Sequence, residues 1–328
     1  MTVSYEDVVS AAERIGGHVL RTPVLEIAPG RFLKLEQLQH SGSFKVRGAF
    51  NRILSAGELP EDGVIAASGG NHGLAVAYAA RALGVRAEIF VPEVTSPVKL
   101  AGLRALGAHV TQTGAIYSEA AEAAAKRAAE TGALKVHAYD QPEVVAGQGT
   151  TGLELMAQTG GVDTVVAAVG GGGFAAGVAV GARILTGSTG SSGVPGHSGA
   201  AGFAGGPKLV AVEPERIPTL HEALKAGGPV PVEVGGVAAD ALGASRLGDL
   251  AYDILSRAGA LSVLVTDDAI VAARRTLWEE HHLVAEHAGA TAYAALLSGV
   301  YVPEPGERVA VLVCGANTDT ATLAHGQG

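Results

Sequence analysis

The sequence predicts an α/β protein built on parallel sheet. Short β-branched runs alternate with helical stretches from Val64 onward, and three helices end at the glycine steps Gly84-Val85, Gly107-Ala108 and Thr131-Gly132. Three polar or glycine-rich loops, starting at Ser68, Gly170 and Cys314, each follow a strand directly. Ligands of open parallel sheets sit at the carboxyl ends of strands, so this shared position argues for one site. With 328 residues, 48% hydrophobic and 17% charged, the chain suits one large or two intimately joined domains and is not a disordered one.

In order, residues 5–15 read as an amphipathic helix, an extended segment carries Pro23, and residues 31–36 alternate as a strand does. Strand then helix follows three times: 64–68 and 74–83, 87–91 and 98–106, 109–113 and 118–130. A second series runs through strand 134–138, helix 144–158, strand 164–169, helix 173–185 and strand 209–212. Thr266-Asp267-Asp268 starts a helix reaching 283, residues 286–297 form another, and 308–313 is the last strand. The uncharged run 164–182 approaches the length of a membrane span, but four consecutive glycines break it into strand, turn and helix. Residues 186–207, almost wholly Gly, Ser, Ala and Thr, read as an exposed, flexible insertion.

Composition excludes several partners. A formal net charge of −9 argues against nucleic acid, since phosphate binding needs clustered Lys and Arg. The single cysteine, Cys314, excludes a disulfide within the chain and fits a reducing compartment. The first residues lack the basic and apolar regions of a signal peptide, so a cytoplasmic protein with no membrane partner is expected.

The chemistry centres on Ser41-Gly42-Ser43-Phe44-Lys45-Val46-Arg47-Gly48-Ala49. Ser43 is the expected N-cap of a helix that starts near Lys45. A lysine at a helix start beside a flat hydrophobe suits an amine that holds an aldehyde cofactor as a Schiff base, because the amine must lose its proton before attacking a carbonyl. An ordinary surface lysine fits this stretch equally well. Gly170-Gly171-Gly172-Gly173-Phe174 joins strand to helix, so backbone N–H groups and the helix N-terminus offer a phosphate cradle. No Gly-Lys-Ser/Thr follows and the spacing is not a clean dinucleotide fingerprint; a structural turn is the alternative. Asn71 alone reads as an N-cap asparagine, and Cys314 alone as a buried structural cysteine.

Taken together, the lysine stretch, Ser68-Gly69-Gly70-Asn71-His72-Gly73, the glycine loop and Cys314-Gly315-Ala316-Asn317 resemble, in order, the motifs of the serine/threonine dehydratase family of pyridoxal-phosphate enzymes. The resemblance spans nearly the whole chain outside the insertion. It implies fold type II, the tryptophan synthase β-like arrangement of two α/β domains with parallel sheets: a large domain from 1–50 and 141–328 and a small one from 51–140. Pyridoxal 5'-phosphate is the implied cofactor, with Lys45 as its anchor and catalytic base and Phe44 against its ring. The implied phosphate binders are Gly170, Gly171, Gly172, Gly173 and Phe174. Asn71 is set at the ring hydroxyl and Cys314 beside the pyridine nitrogen. Ser68, Gly69, Gly70, Asn71 and His72 are set at the carboxylate of an amino-acid substrate.

The implied reaction is dehydration and deamination of L-threonine or L-serine to a 2-oxo acid and ammonia. Another β-hydroxy amino acid, racemisation and a non-enzymatic phosphate-ligand binder are the alternatives. Racemising relatives place a serine two residues before the asparagine, where this chain has Gly69. Some relatives place a cation ligand at Glu213, yet Ile217 and Thr219 follow where a second acidic ligand is expected, so no metal is assigned. Glu286 precedes His287 where the family has proline, and is expected to face the cofactor. Asp240 is expected behind the site, and His281 and His282 at the surface or capping a helix. The resemblance also suggests a homo-oligomer and, with only about a dozen residues after Cys314, no isoleucine feedback.

Overall fold

A computed structural model describes residues 2–184 and 206–324. The chain opens with α1 (Tyr5–Ile15), the pair β1 (Val24–Ala28) and β2 (Arg31–Leu35), and α2 (Lys45–Leu54). It continues through β3 (Val64–Ala67), α3 (Asn71–Ala82), β4 (Ala87–Val91), α4 (Pro97–Ala105), β5 (His109–Gln112), α5 (Tyr117–Thr131) and β6 (Leu134–Lys135). Next come α6 (Pro142–Thr159), β7 (Thr164–Ala168), α7 (Gly173–Gly181), β8 (Lys208–Pro214), α8 (Thr219–Ala226), α9 (Ala239–Leu242), α10 (Asp249–Arg257) and β9 (Leu261–Val265). The last elements are α11 (Asp267–His281), α12 (His287–Leu297), β10 (Val309–Val313) and α13 (Ala321–Ala324).

The strands form two sheets, ordered β1-β2-β10-β7-β8-β9 and β5-β4-β3-β6. Every pairing is parallel except β1 with β2. Helices cover the central strands on both faces, which is why β7 (TVVAA) and β10 (VAVLV) are apolar or β-branched at every position and buried throughout. A separate apolar cluster underlies each sheet, giving two α/β domains.

Glycines set how closely the helices of the six-stranded sheet pack. A Cβ at Gly149 would lie 2.8 Å from the Gly177 carbonyl oxygen, and one at Gly152 2.7 Å from that of Val178, so α6 and α7 touch backbone to backbone. That contact holds α7, and with it the glycine loop at its start, against the rest of the sheet.

Several sequence expectations need correction. Ser43 does not cap α2; Phe44 takes that position, and the Ser43 hydroxyl is buried without a partner. The reason is tertiary: Ser43 is extended and bridges to Gly315, so the helix begins later than its sequence suggests. The helix expected over 173–185 ends at Gly181. Elements β1, β9, α8, α9, α10 and α13 were not anticipated. The insertion at 186–207 lies outside the described residues except for its last two. Among the described residues no helix is long and apolar enough to cross a membrane.

Candidate active site

Ser68, Gly170 and Cys314 follow β3, β7 and β10 at their carboxyl ends, and these loops meet between the two sheets. Lys45 comes to the same place as the first residue of α2. Its approach is fixed by a seam between two loops, in which Phe44 N–H donates to the Cys314 carbonyl at 3.2 Å and Ala316 N–H to the Gly42 carbonyl at 2.9 Å. Gly42 has φ +75°, a left-handed backbone that glycine adopts without strain, and a side chain there would meet Asn317 Oδ1 at 2.5 Å.

Lys45 Nζ donates to the Ala138 carbonyl at 2.8 Å. Burial pushes its pKa down from 10.5 to about 8, against the opposing pull of Cys314 and Glu286. Phe44 stacks on Phe174, with ring centroids 3.9 Å apart and planes 23° from parallel. The Cys314 thiol is buried, with Sγ 3.6 Å from the Ala288 carbonyl, and burial pushes it up to about 12. It therefore stays protonated at neutral pH.

The glycine loop is a cradle whose floor is already filled. A Cβ at Gly170 would meet the Leu242 carbonyl oxygen at 2.8 Å, and one at Gly172, where φ is +83°, would meet Leu247 and Ala251 at 2.6 Å. At Gly171 it would enter the Tyr139 ring, and at Gly173 the Tyr139 carbonyl. Only glycine lets this backbone turn so close to its surroundings beside the pocket at the start of α7. A cradle of that kind fits a phosphate, and an amine poised near pH 8 beside it fits an aldehyde. Pyridoxal phosphate combines the two.

Asn71 is the first residue of α3. Its Nδ2 donates to Glu286 Oε1 at 2.6 Å, and its Oδ1 accepts from Asn317 Nδ2 at 2.7 Å. Glu286 is pushed up to about 7, burial outweighing the Asn71 hydrogen bond. Ser68 Oγ accepts from Gly70 N–H at 3.2 Å and shapes the turn. The His72 ring sits with Nε2 3.0 Å from the Val136 carbonyl, and burial, with Lys45 next, lowers its pKa to about 3. Its imidazole is thus neutral, with Nε2 committed as a donor to Val136.

Phe44, Lys45, Asn71, Gly170, Gly171, Gly172, Gly173, Phe174 and Cys314 all line one pocket, which Glu286 also lines. Lys45, Asn71, Tyr139, Gly171, Ala241 and Leu242 are shared with an adjoining cleft of about 530 Å³, where Ser68, Gly69, Gly70 and His72 lie. Tyr139 was missed by sequence reasoning, although an aromatic residue just past a parallel strand was a usable signal. Lys99 was missed as well; it lines the cleft and pairs with Asp240, which lines the cleft itself instead of standing behind it.

Other candidates lie elsewhere. Glu213 is buried, accepting from Leu220 N–H at 2.7 Å, His221 N–H at 2.9 Å and Thr219 Oγ1 at 2.9 Å, so its oxygens cap α8. His282 ends α11 in a left-handed conformation with φ 56°, and His281 Nε2 lies 3.3 Å from Tyr293 Oη.

Comparison with known proteins gives the family. The sequence profile described as pyridoxal-phosphate dependent enzyme matches residues 15–315, and the chain belongs to that family. It is 35% identical to the L-threonine ammonia-lyase of Thermotoga maritima, over 97% of this chain and 76% of that one. It is likewise 35% identical to the phenylserine dehydratase of Ralstonia pickettii, over 96% of this chain and 93% of the relative. The structure of maize serine racemase superposes with a TM-score of 0.87 at 28% identity, covering 99% of this chain and 96% of that one. Within the family the chain falls in the serine/threonine dehydratase group of fold type II, a pyridoxal-phosphate-dependent lyase.

Proposed function

We propose that this chain dehydrates and deaminates L-threonine, L-serine or both, releasing a 2-oxo acid and ammonia. The observation that carries this reading is the Lys45 amine, enclosed at the meeting point of the three strand-end loops with its pKa lowered to about 8. A lysine left at 10.5 is almost wholly charged at neutral pH and neither attacks a carbonyl nor takes a proton. At about 8 a usable fraction is neutral.

When bound, pyridoxal phosphate supplies the electron sink that acidifies the substrate's Cα proton. Lys45 anchors the cofactor and takes that proton as general base. Gly170, Gly171, Gly172, Gly173 and Phe174 hold the phosphate at the N-terminus of α7, and Phe44 covers the ring. Cys314, assigned to the pyridine nitrogen, is a neutral thiol and does not give the ring a full positive charge. A neutral partner there would suit chemistry that expels a β-substituent as the Cα proton leaves. Asn71 presents its amide N–H to the ring oxygen. Ser68, Gly69, Gly70, Asn71 and His72 hold the substrate carboxylate, largely through backbone N–H groups at the start of α3. The enamine left after loss of water hydrolyses to the 2-oxo acid and ammonia.

Gly69 supports elimination over racemisation. It offers no acid to return a proton from the face opposite Lys45, and a Cβ there would meet Thr95 Cγ2 at 3.1 Å. The kinship with a phenylserine dehydratase leaves the size of the β-substituent open, so the test includes that substrate. Purified protein is given pyridoxal phosphate, then L-threonine, L-serine, phenylserine or D-serine, with absorption and 2-oxo acid followed. Visible absorption that changes with L-threonine or L-serine and yields 2-oxobutyrate or pyruvate supports the proposal; turnover of phenylserine alone moves the substrate to aryl side chains. A cofactor complex inert to all of them overturns the reading.

A further inference from the structure

Asn317 follows Cys314 in the last strand-end loop but does not line the pocket. Its side chain nevertheless decides which end of another side chain does. An amide has one donor end and one acceptor end of nearly equal shape, so its direction is settled only by partners whose own roles are fixed. Ser41 supplies such a partner. Its backbone carbonyl only accepts and lies 2.8 Å from the Asn317 amide, so the NH₂ end of Asn317 points there.

The second hydrogen of that NH₂ group reaches Asn71 at 2.7 Å, where it needs an acceptor. The Asn71 atom facing it is therefore Oδ1. The Asn71 NH₂ group must then lie on the other side, 2.6 Å from Glu286 Oε1, at the pocket wall. Starting from one obligate acceptor, the chain Ser41–Asn317–Asn71–Glu286 permits a single direction for both amides.

Two glycines make room for it. A Cβ at Gly42 would meet Asn317 Oδ1 at 2.5 Å, and one at Gly315 would overlap Glu286 Oε1 and meet Asn71 Nδ2 at 3.2 Å. The relay also crosses the protein, because Asn71 opens α3 beside the four-stranded sheet while Asn317 and Glu286 belong to segments packed on the six-stranded one.

We propose that Asn317 is a positioning residue, which turns the Asn71 amide so that a donor and never an acceptor faces the cofactor. This rests on the reading of Asn71 as a cofactor-binding residue. A carboxylate at 317 donates to neither Ser41 nor Asn71, and it attracts the Asn71 NH₂ group to itself, turning Oδ1 toward the pocket.

The test compares Asn317→Asp, Asn317→Ala, Asn71→Ala and the Asn71→Ala/Asn317→Ala double variant. Readouts are the Asn71 side-chain amide NMR signals of the apoprotein, the visible absorption of bound pyridoxal phosphate, and kcat for 2-oxo acid release. Asn317→Asp is expected to shift the Asn71 amide signals and to bring the cofactor absorption to that of Asn71→Ala. It is also expected to lower kcat roughly tenfold, the scale of one lost hydrogen bond. The double variant should fall within about twofold of Asn71→Ala, because a residue that acts only through Asn71 has nothing left to act on. Should Asn317→Asp not fold, Asn317→Ala carries the same readouts.

Unchanged amide signals and absorption in the Asn317 variants overturn the proposal, as does a double variant whose losses multiply. If wild-type protein binds the cofactor but converts none of the amino acids, it is the dehydratase reading that fails. The amide signals and the cofactor absorption still judge Asn317.

Discussion

Two loops of this molecule share a plan and differ in how tightly it is filled. Gly170–Gly173 after β7 and Ser68–Asn71 after β3 each run from a buried parallel strand through small residues into a helix. Around the first, a side chain added at any of the four glycines strikes backbone or packed side chains of Tyr139, Leu242, Leu247 or Ala251. Around the second, a Cβ at Gly69 meets nothing closer than the Thr95 methyl group, at 3.1 Å, one at Gly70 meets nothing closer than the Asp240 carbonyl oxygen at 3.8 Å, and the turn faces a cleft of about 530 Å³. One strand–turn–helix unit is closed on every side but the pocket, as suits a cofactor that stays. Its counterpart stands open, as suits a substrate that comes and goes.

Lys45 lies between the loops, and its removal separates them most sharply. Lys45→Ala should lower 2-oxo acid release by on the order of a thousandfold or more, the upper part of the range for a lost general base. Equilibrium dialysis should still detect phosphate-dependent retention of pyridoxal phosphate, because the glycine cradle remains. Loss of all retention would mean that the cradle does not act by itself, and the contrast between the loops would fail there.

Gly173→Ala addresses the closed loop directly. Its Cβ would run into the Tyr139 carbonyl, which belongs to the backbone and cannot swing away. Overpacking of this kind costs about 1–3 kcal/mol, so cofactor affinity should fall roughly ten- to hundredfold in a fluorescence titration. An affinity within twofold of wild type would show that the loop has slack the contacts deny.

The lowered pKa of Lys45 gives a pH test of the same region. The folded value near 8 lies below the ordinary 10.5, so the charged amine is disfavoured in the folded protein. That penalty is complete below about pH 8 and is relieved between 8 and 10.5, where the folded state has lost a proton that the unfolded chain still holds. Cofactor uptake by the apoprotein should therefore quicken as pH rises through about 8 and then level off. A midpoint near 10.5 would mean that the amine is solvated, contrary to its place beside Ala138.

Sequence reasoning reached these loops because their chemistry is local. Glycines, an asparagine and a cysteine placed straight after β-branched runs announce themselves within a few residues. What joins the loops is not local: Asn71 meets Glu286 across 215 residues and Asn317 across 246. No periodicity carries such a pairing. Tertiary context also overrode a local rule at Ser43, whose backbone pairs with Gly315 when its side chain was expected to cap α2. β1 escaped notice because it is a short antiparallel edge strand, half-exposed and interrupted by Glu26, and β9 because it lies at the other edge of the sheet, only partly buried.

The open loop predicts smaller effects. Gly70→Ala has space for its methyl group and a negative φ, −104°, so cofactor affinity should be unchanged while KM for the amino acid rises a few-fold as the methyl group intrudes on the bound carboxylate. A loss of cofactor affinity equal to that of Gly173→Ala would erase the distinction between the two loops.

The smallest effect is expected where the cleft is bridged. Lys99, in the first turn of α4, pairs with Asp240 in α9 across the cleft opening. Both side chains are well exposed, at 38% and 64%, and exposed pairs contribute little because water and salt screen them. A lysine in a first turn is also opposed by the helix dipole, so its position is explained by the partner and not by α4. Lys99→Ala should therefore raise KM only about two- to fivefold at low ionic strength, with kcat nearly unchanged, and the difference should vanish in high salt. A larger effect that persists in salt would show that the pair is buried during turnover. The open loop would then be covered once substrate is bound, and the contrast would describe a stage of the reaction and not a fixed property of the fold.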